Sequence, residues 1–72
     1  MLSDIFQGQW KQLRGEVKKR WGELTNDEVD QLRGDWDRFI GLLQEKYGYT
    51  KEKAESQIVE LIEEIRARPE TS

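Results

Sequence analysis

The sequence predicts an all-α protein, a small bundle of about four helices, on three observations. Apolar residues recur in steps of three and four along most of the chain. Two threonines, each within three residues of a glycine, stand where that pattern restarts. No alternating β-branched run bounded by turn residues occurs, and the helix formers Glu, Lys and Arg are abundant.

The first element is carried by Phe6, Trp10, Leu13, Val17, Trp21 and Leu24, which share one face of a helix of about five turns. Ser3 is its expected N-cap, and Gly22 its expected end, because a left-handed residue after the last turn is most cheaply a glycine. The next start is the clearest local signal. Thr25 followed by Glu28 is the pattern of a reciprocal capping box, with Leu24 and Val29 as the flanking staple. Asp27, Glu28 and Asp30 lie against the positive end of this helix, so the acidic cluster has a structural task. Helical spacing continues through Val29, Leu32, Trp36, Phe39, Ile40, Leu43 and Tyr47 to Gly48. A break at Gly34 would divide that stretch, giving four helices rather than three. Thr50 then caps a last helix carrying Ala54, Ile58, Leu61, Ile62 and Ile65, and Pro69 opens an end expected to fray. The expected core is thus Trp10, Leu13, Val17, Trp21, Trp36, Phe39, Leu43, Tyr47, Ile58 and Ile62, in a single domain over 1–72 with its core at about 3–67.

The glycines betray an internal repeat. They fall at 8, 15 and 22 and again at 34, 41 and 48, offset by 26. At the same offset Trp10 matches Trp36, Leu13 matches Phe39, Val17 matches Leu43 and Trp21 matches Tyr47. Each unit reads as a long helix ending in glycine, a short turn and a threonine-capped helix, so two related helical hairpins should pack together. Gly8, Gly15, Gly34 and Gly41 lie opposite the apolar stripes, where a glycine marks either a break or a close approach of another backbone.

Composition removes most chemistry. In 72 residues, 38% are charged and 35% apolar, with a net charge of −3. Ile, Leu, Val and Phe are numerous enough for the chain to fold, though a core this small seldom supplies more than about 3–5 kcal/mol. The absence of histidine and cysteine removes the usual proton shuttle, the thiol nucleophile and the commonest zinc ligands. Glu60, Glu63 and Glu64 could imitate an acid/base pair, yet nothing buries them to shift a pKa. No enzymatic activity, cofactor or metal is expected. The N-terminal residues lack a basic start followed by an apolar run, and no stretch could span a bilayer, so the expectation is a soluble, unprocessed, cytoplasmic protein.

The string Gly8-Gln9-Trp10-Lys11-Gln12-Leu13-Arg14-Gly15-Glu16-Val17-Lys18-Lys19-Arg20-Trp21-Gly22-Glu23-Leu24-Thr25 closely resembles the CsbD-like family of small bacterial stress proteins, as does Tyr47-Gly48-Tyr49-Thr50. The resemblance runs over about 7–62. It implies a bacterial cytoplasmic protein, abundant under general stress, with two orthogonally packed hairpins in a SAM-domain-like bundle. It carries no catalytic residue.

Two kinds of partner remain open. A protein partner would meet the charged surface, with the exposed glycines or the basic flank of the first helix as the first places to look. Alternatively, Gly22 and Gly48 would present turn amides to phosphates, with Lys11, Arg14, Lys18 and Lys51 supplying charge and Tyr49 stacking on a base. Opposing this, residues 1–24 are only modestly basic and the sequence pI is about 4.9. Trp10, Trp21 and Trp36 could also mark a membrane-surface helix, but their helical phase assigns them to the core. Oligomeric state is left open by these patterns.

Overall fold

The computed structural model describes residues 2–67, and everything in them that is regular is helical. Five helices follow in order: α1 (Leu2–Gly8), α2 (Trp10–Arg20), α3 (Asn26–Leu32), α4 (Trp36–Tyr47) and α5 (Lys51–Ala67). Pro69 and the end expected to fray lie outside the described residues.

The expected five-turn first helix is two helices. Gln9 takes φ −107° and ψ 15°, outside helical geometry, directly after the permissive backbone of Gly8. Ser3, expected at the N-cap, lies inside α1 instead, one residue past its start at Leu2. The bend lets α1 fold back onto α2 and α4, with Phe6 buried between them. Its ring is 5.3 Å from that of Trp10, 5.5 Å from Phe39 and 5.8 Å from Trp36.

Gly22 is not left-handed. The helix is left at Trp21 (φ −120°, ψ 76°), and a backbone bond of 3.1 Å from Leu24 N to Trp21 O closes the following turn without any positive φ. Thr25 then forms the capping box: its hydroxyl accepts from Glu28 N at 3.1 Å while the Glu28 carboxylate accepts from Thr25 N at 2.9 Å. Leu24 and Val29 on either side are buried.

Between α3 and α4 the chain turns through two left-handed residues, Arg33 (φ 52°) and Gly34 (φ 77°). Gly34 is a close approach as well as a turn. A Cβ there would stand 3.1 Å from Gln7 Cα and 3.2 Å from Trp10 Cβ. Asp35 caps α4 by accepting from Arg38 N at 3.1 Å, and the Arg38 guanidinium donates to the Gln31 carbonyl at 3.1 Å, serving one of the last carbonyls of α3. Gly48 (φ 69°) ends α4, and the Thr50 hydroxyl accepts from Lys53 N at the start of α5.

α4 packs along α5 and α2 against α3, while α2 also meets α5. Leu13, Val17, Trp21, Phe39, Leu43, Ile58 and Ile62 are buried, together with Leu24, Leu32, Ile40, Ala54, Leu61 and Ile65. Trp10, Trp36 and Tyr47, expected inside, are only half-buried against this core. The reason is positional: Trp10 and Trp36 are the first residues of α2 and α4, and Tyr47 is the last of α4, so each sits where its helix leaves the packed region. Both tryptophans open a helix, 26 residues apart.

Candidate functional site

The residues singled out from the sequence separate into two places. Gly22, Gly48, Tyr49 and Lys51 gather at one end, where the two glycine turns meet. Tyr47 joins them, its hydroxyl accepting from Glu23 N at 3.2 Å across the gap between the turns. Tyr49 stacks on Tyr47 with ring centroids 5.6 Å apart, and Lys53 Nζ stands 5.0 Å from the Tyr49 ring centre. The aromatic surface that a nucleobase would need is thus engaged by the protein itself. Several of the amides nearby are also in use: Glu23 N on Tyr47, Thr25 N on Glu28, Gly48 N on Gln44 O and Lys53 N on Thr50. This end forms a clasp between the α2–α3 and α4–α5 connections.

Lys11, Arg14 and Lys18 lie on α2, all exposed. Arg14 is held by Asp30 of α3 at 3.3 Å, with both side chains about half exposed. On the other flank of α2, Arg20 reaches Glu64 of α5 at 2.7 Å. Lys46 and Glu28 pair at 2.8 Å between α4 and α3. These bridges tie neighbouring helices together and use up part of the basic stripe. Lys11, Lys18 and the adjacent Lys19 have no ion-pair partner among the described residues.

The Glu28–Lys46 pair has perturbed titration. Lys46 donates to the Glu28 carboxylate, and with the Thr25 amide it holds that carboxyl below its ordinary value. Glu28 in turn raises the Lys46 ammonium. Both effects follow from a helix cap and an interhelical bridge. No polar or charged residue is buried among the described residues, and no three of their carboxylates could hold a metal ion. None of their helices is long and apolar enough to cross a membrane.

Sequence reasoning missed two features. A groove of about 950 Å³ lies over the Arg33-Gly34-Asp35 turn, bordered by Asp4, Gln7, Trp36 and Arg38. It exists because Gly34 lets α1 approach the α3–α4 turn, a tertiary contact with no local signature. Asp35 as the cap of α4 had a signal, a helix-capping residue directly before the apolar stripe restarts at Trp36.

With this geometry in place, comparison with known proteins identifies the relatives. The CsbD-like family model matches residues 4–56, most of the chain. The chain belongs to the CsbD-like family. Among its relatives, a UPF0337 protein of Pseudomonas aeruginosa is 47% identical over 58 residues, covering 81% of this CsbD-like chain and 89% of the relative. A UPF0337 protein of Bordetella pertussis is 48% identical over 63 residues, covering 88% and 96%. The UPF0337 protein YjbJ of Escherichia coli K12 is 43% identical over 60 residues, covering 83% and 87%. No solved structure matches the CsbD-like chain.

Proposed function

We propose that this CsbD-like chain is a non-enzymatic bacterial stress-response protein of the cytoplasm, acting by its abundance or through a protein partner. Family membership over residues 4–56 is the observation that carries this reading. The side-chain inventory supports it. Carboxylates are plentiful, none is buried among the described residues, and the Glu28–Lys46 pair with shifted titration serves a cap and a bridge. A surface rich in both signs of charge suits a protein kept at high concentration.

Within the fold we read α2 with α3 and α4 with α5 as two related hairpins, the SAM-domain-like arrangement that the family resemblance implies. The packing of each pair and the offset of 26 between Trp10 and Trp36 support it. The nucleic-acid alternative loses ground because Tyr49 is stacked on Tyr47 and Arg14 is held by Asp30.

The test is quantitative immunoblotting of the native protein through osmotic, ethanol and starvation stress, alongside survival of a deletion strain. Induction under at least one stress, with survival that scales with the level of re-expressed protein, is the expected result. A constant level under all three and an unaffected deletion strain would overturn the proposal.

A further inference from the structure

The outward faces of α2 and α5 are complementary, and each is unpartnered. On α2, Lys11, Lys18 and Lys19 are exposed around the exposed Gly15. Steps of four and seven or eight residues place them within about a third of the helix circumference, one turn to either side of the glycine. On α5, Glu52, Glu60 and Glu63 are exposed around Ser56, one to two turns to either side of a small residue. None of these six charges has an ion-pair partner among the described residues. The two helices pack on each other within one molecule through their opposite sides, where Leu13, Val17, Ile58 and Ile62 are buried, so one molecule's α2 face is directed away from its own α5 face.

Gly15 has no structural reason to be a glycine. It lies inside α2, its φ is helical, and a Cβ there would meet nothing within 4 Å. A glycine inside an exposed helix costs about 1 kcal/mol relative to alanine. What it permits is a second helix backbone close against α2, and a small residue opposite it, such as Ser56, allows that approach.

We propose that the chain self-associates, with the Lys11, Gly15, Lys18 and Lys19 face of α2 docked on the Glu52, Ser56, Glu60 and Glu63 face of α5 from a second copy. The charges fit only in that combination, because α2 against α2 or α5 against α5 would set like charges together. The contact joins unlike surfaces, and each copy offers one of each. Lacking a large apolar centre, it is weak, strengthened by concentration and weakened by salt. This inference stands independently of which stress or partner the protein serves.

Amide NMR of the labelled full chain over a roughly hundredfold concentration range, with sedimentation equilibrium at low and high salt, tests it. Concentration-dependent shifts confined to residues 11–19 and 52–63, weakened by salt, are expected. Reversing Lys11, Lys18 and Lys19 to Glu should abolish them, as should reversing Glu52, Glu60 and Glu63 to Lys. Gly15→Gln keeps every charge and raises helix propensity, so it should melt higher yet associate at least about tenfold more weakly. Gly41→Gln, in the equivalent exposed position of α4, should melt higher and associate as the native chain does. A chain that stays monomeric at every concentration, shifts centred on other surfaces, or a Gly15→Gln variant that associates like the native chain would each overturn the proposal.

Discussion

The six glycines divide by what their backbones do. Gly34 and Gly48 have positive φ, whereas Gly15 and Gly41 are helical and look onto open space. Gly34→Ala should therefore cost about 2 kcal/mol or more, from the left-handed backbone and from a Cβ forced against the Gln7 backbone. Gly48→Ala, strained but uncrowded, should cost about 1 kcal/mol. Gly41→Ala should instead stabilise by about 1 kcal/mol, since only helix propensity changes. Urea denaturation of the three variants checks the order, and a Gly34→Ala protein as stable as Gly48→Ala would remove the close approach from the account. Arg33 shares the left-handed region without being a glycine, and Arg33→Asn should gain a few tenths of a kcal/mol.

At the level of elements, caps and bridges act together at Glu28, which closes the Thr25 box and accepts from Lys46. Because its carboxyl is held below the ordinary value of 4.5, its stabilising effect is complete above that pH and disappears as pH falls through the lowered folded-state value. The raised Lys46 behaves oppositely: its share is complete below the ordinary value of 10.5 and is lost as pH rises through the folded-state value. Glu28→Gln keeps an acceptor for Thr25 N but loses the charge on Lys46. The melting-temperature gap between native protein and this variant should be widest near neutral pH and narrow as the pH falls below 4.5; a gap independent of pH across the whole range in which the protein stays folded would detach the effect from the carboxylate's charge. Thr25→Ala should cost about 1 kcal/mol at any of these pH values. Thr25 with Glu28, Gly48 and the break at Gly34 were readable from sequence because each is a local pattern with a backbone reason. Gly22 was misjudged because a turn closed from Leu24 N to Trp21 O needs no left-handed residue. The bend at Gln9 was hidden by an unbroken apolar stripe, although Gly8, matching Gly34 in the repeat, marked the spot. In the candidate site, the exposure of Lys11 and Lys18 was legible. The engagement of Tyr49 by Tyr47 and Lys53 was not, since it depends on how the two turns meet.

Over the whole molecule, one core of this size leaves little reserve, so the depth of each aromatic decides the consequence of losing it. Trp21, 2% exposed and edge-on to Phe39 at 5.2 Å, should cost about 3–5 kcal/mol as Trp21→Ala, leaving most molecules unfolded. Trp10→Ala and Trp36→Ala remove half-buried rings and should cost about 2 kcal/mol each. Thermal melting separates the two classes, and equal losses at all three positions would mean that the helix starts are packed as tightly as the centre. The same smallness explains why ion pairs are placed between helices: Arg14–Asp30, Arg20–Glu64 and Lys46–Glu28 each fasten two elements whose shared apolar area is limited.

Phe6 is the one fully buried side chain that α1 contributes among the described residues; its ring meets both half-buried tryptophans directly and Phe39, with Trp21 one ring further in, edge-on to Phe39. The protein therefore carries its own optical gauge. Undocking of this seven-residue helix, anchored by Phe6 with Ile5 beside it, would further expose the indoles of Trp10 and Trp36 to water and to collisional quenchers while Trp21, covered by Phe39, stayed more shielded. On warming, emission should redden and iodide quenching should rise before far-ultraviolet ellipticity falls. Coincident curves would mean that α1 leaves only when everything else does.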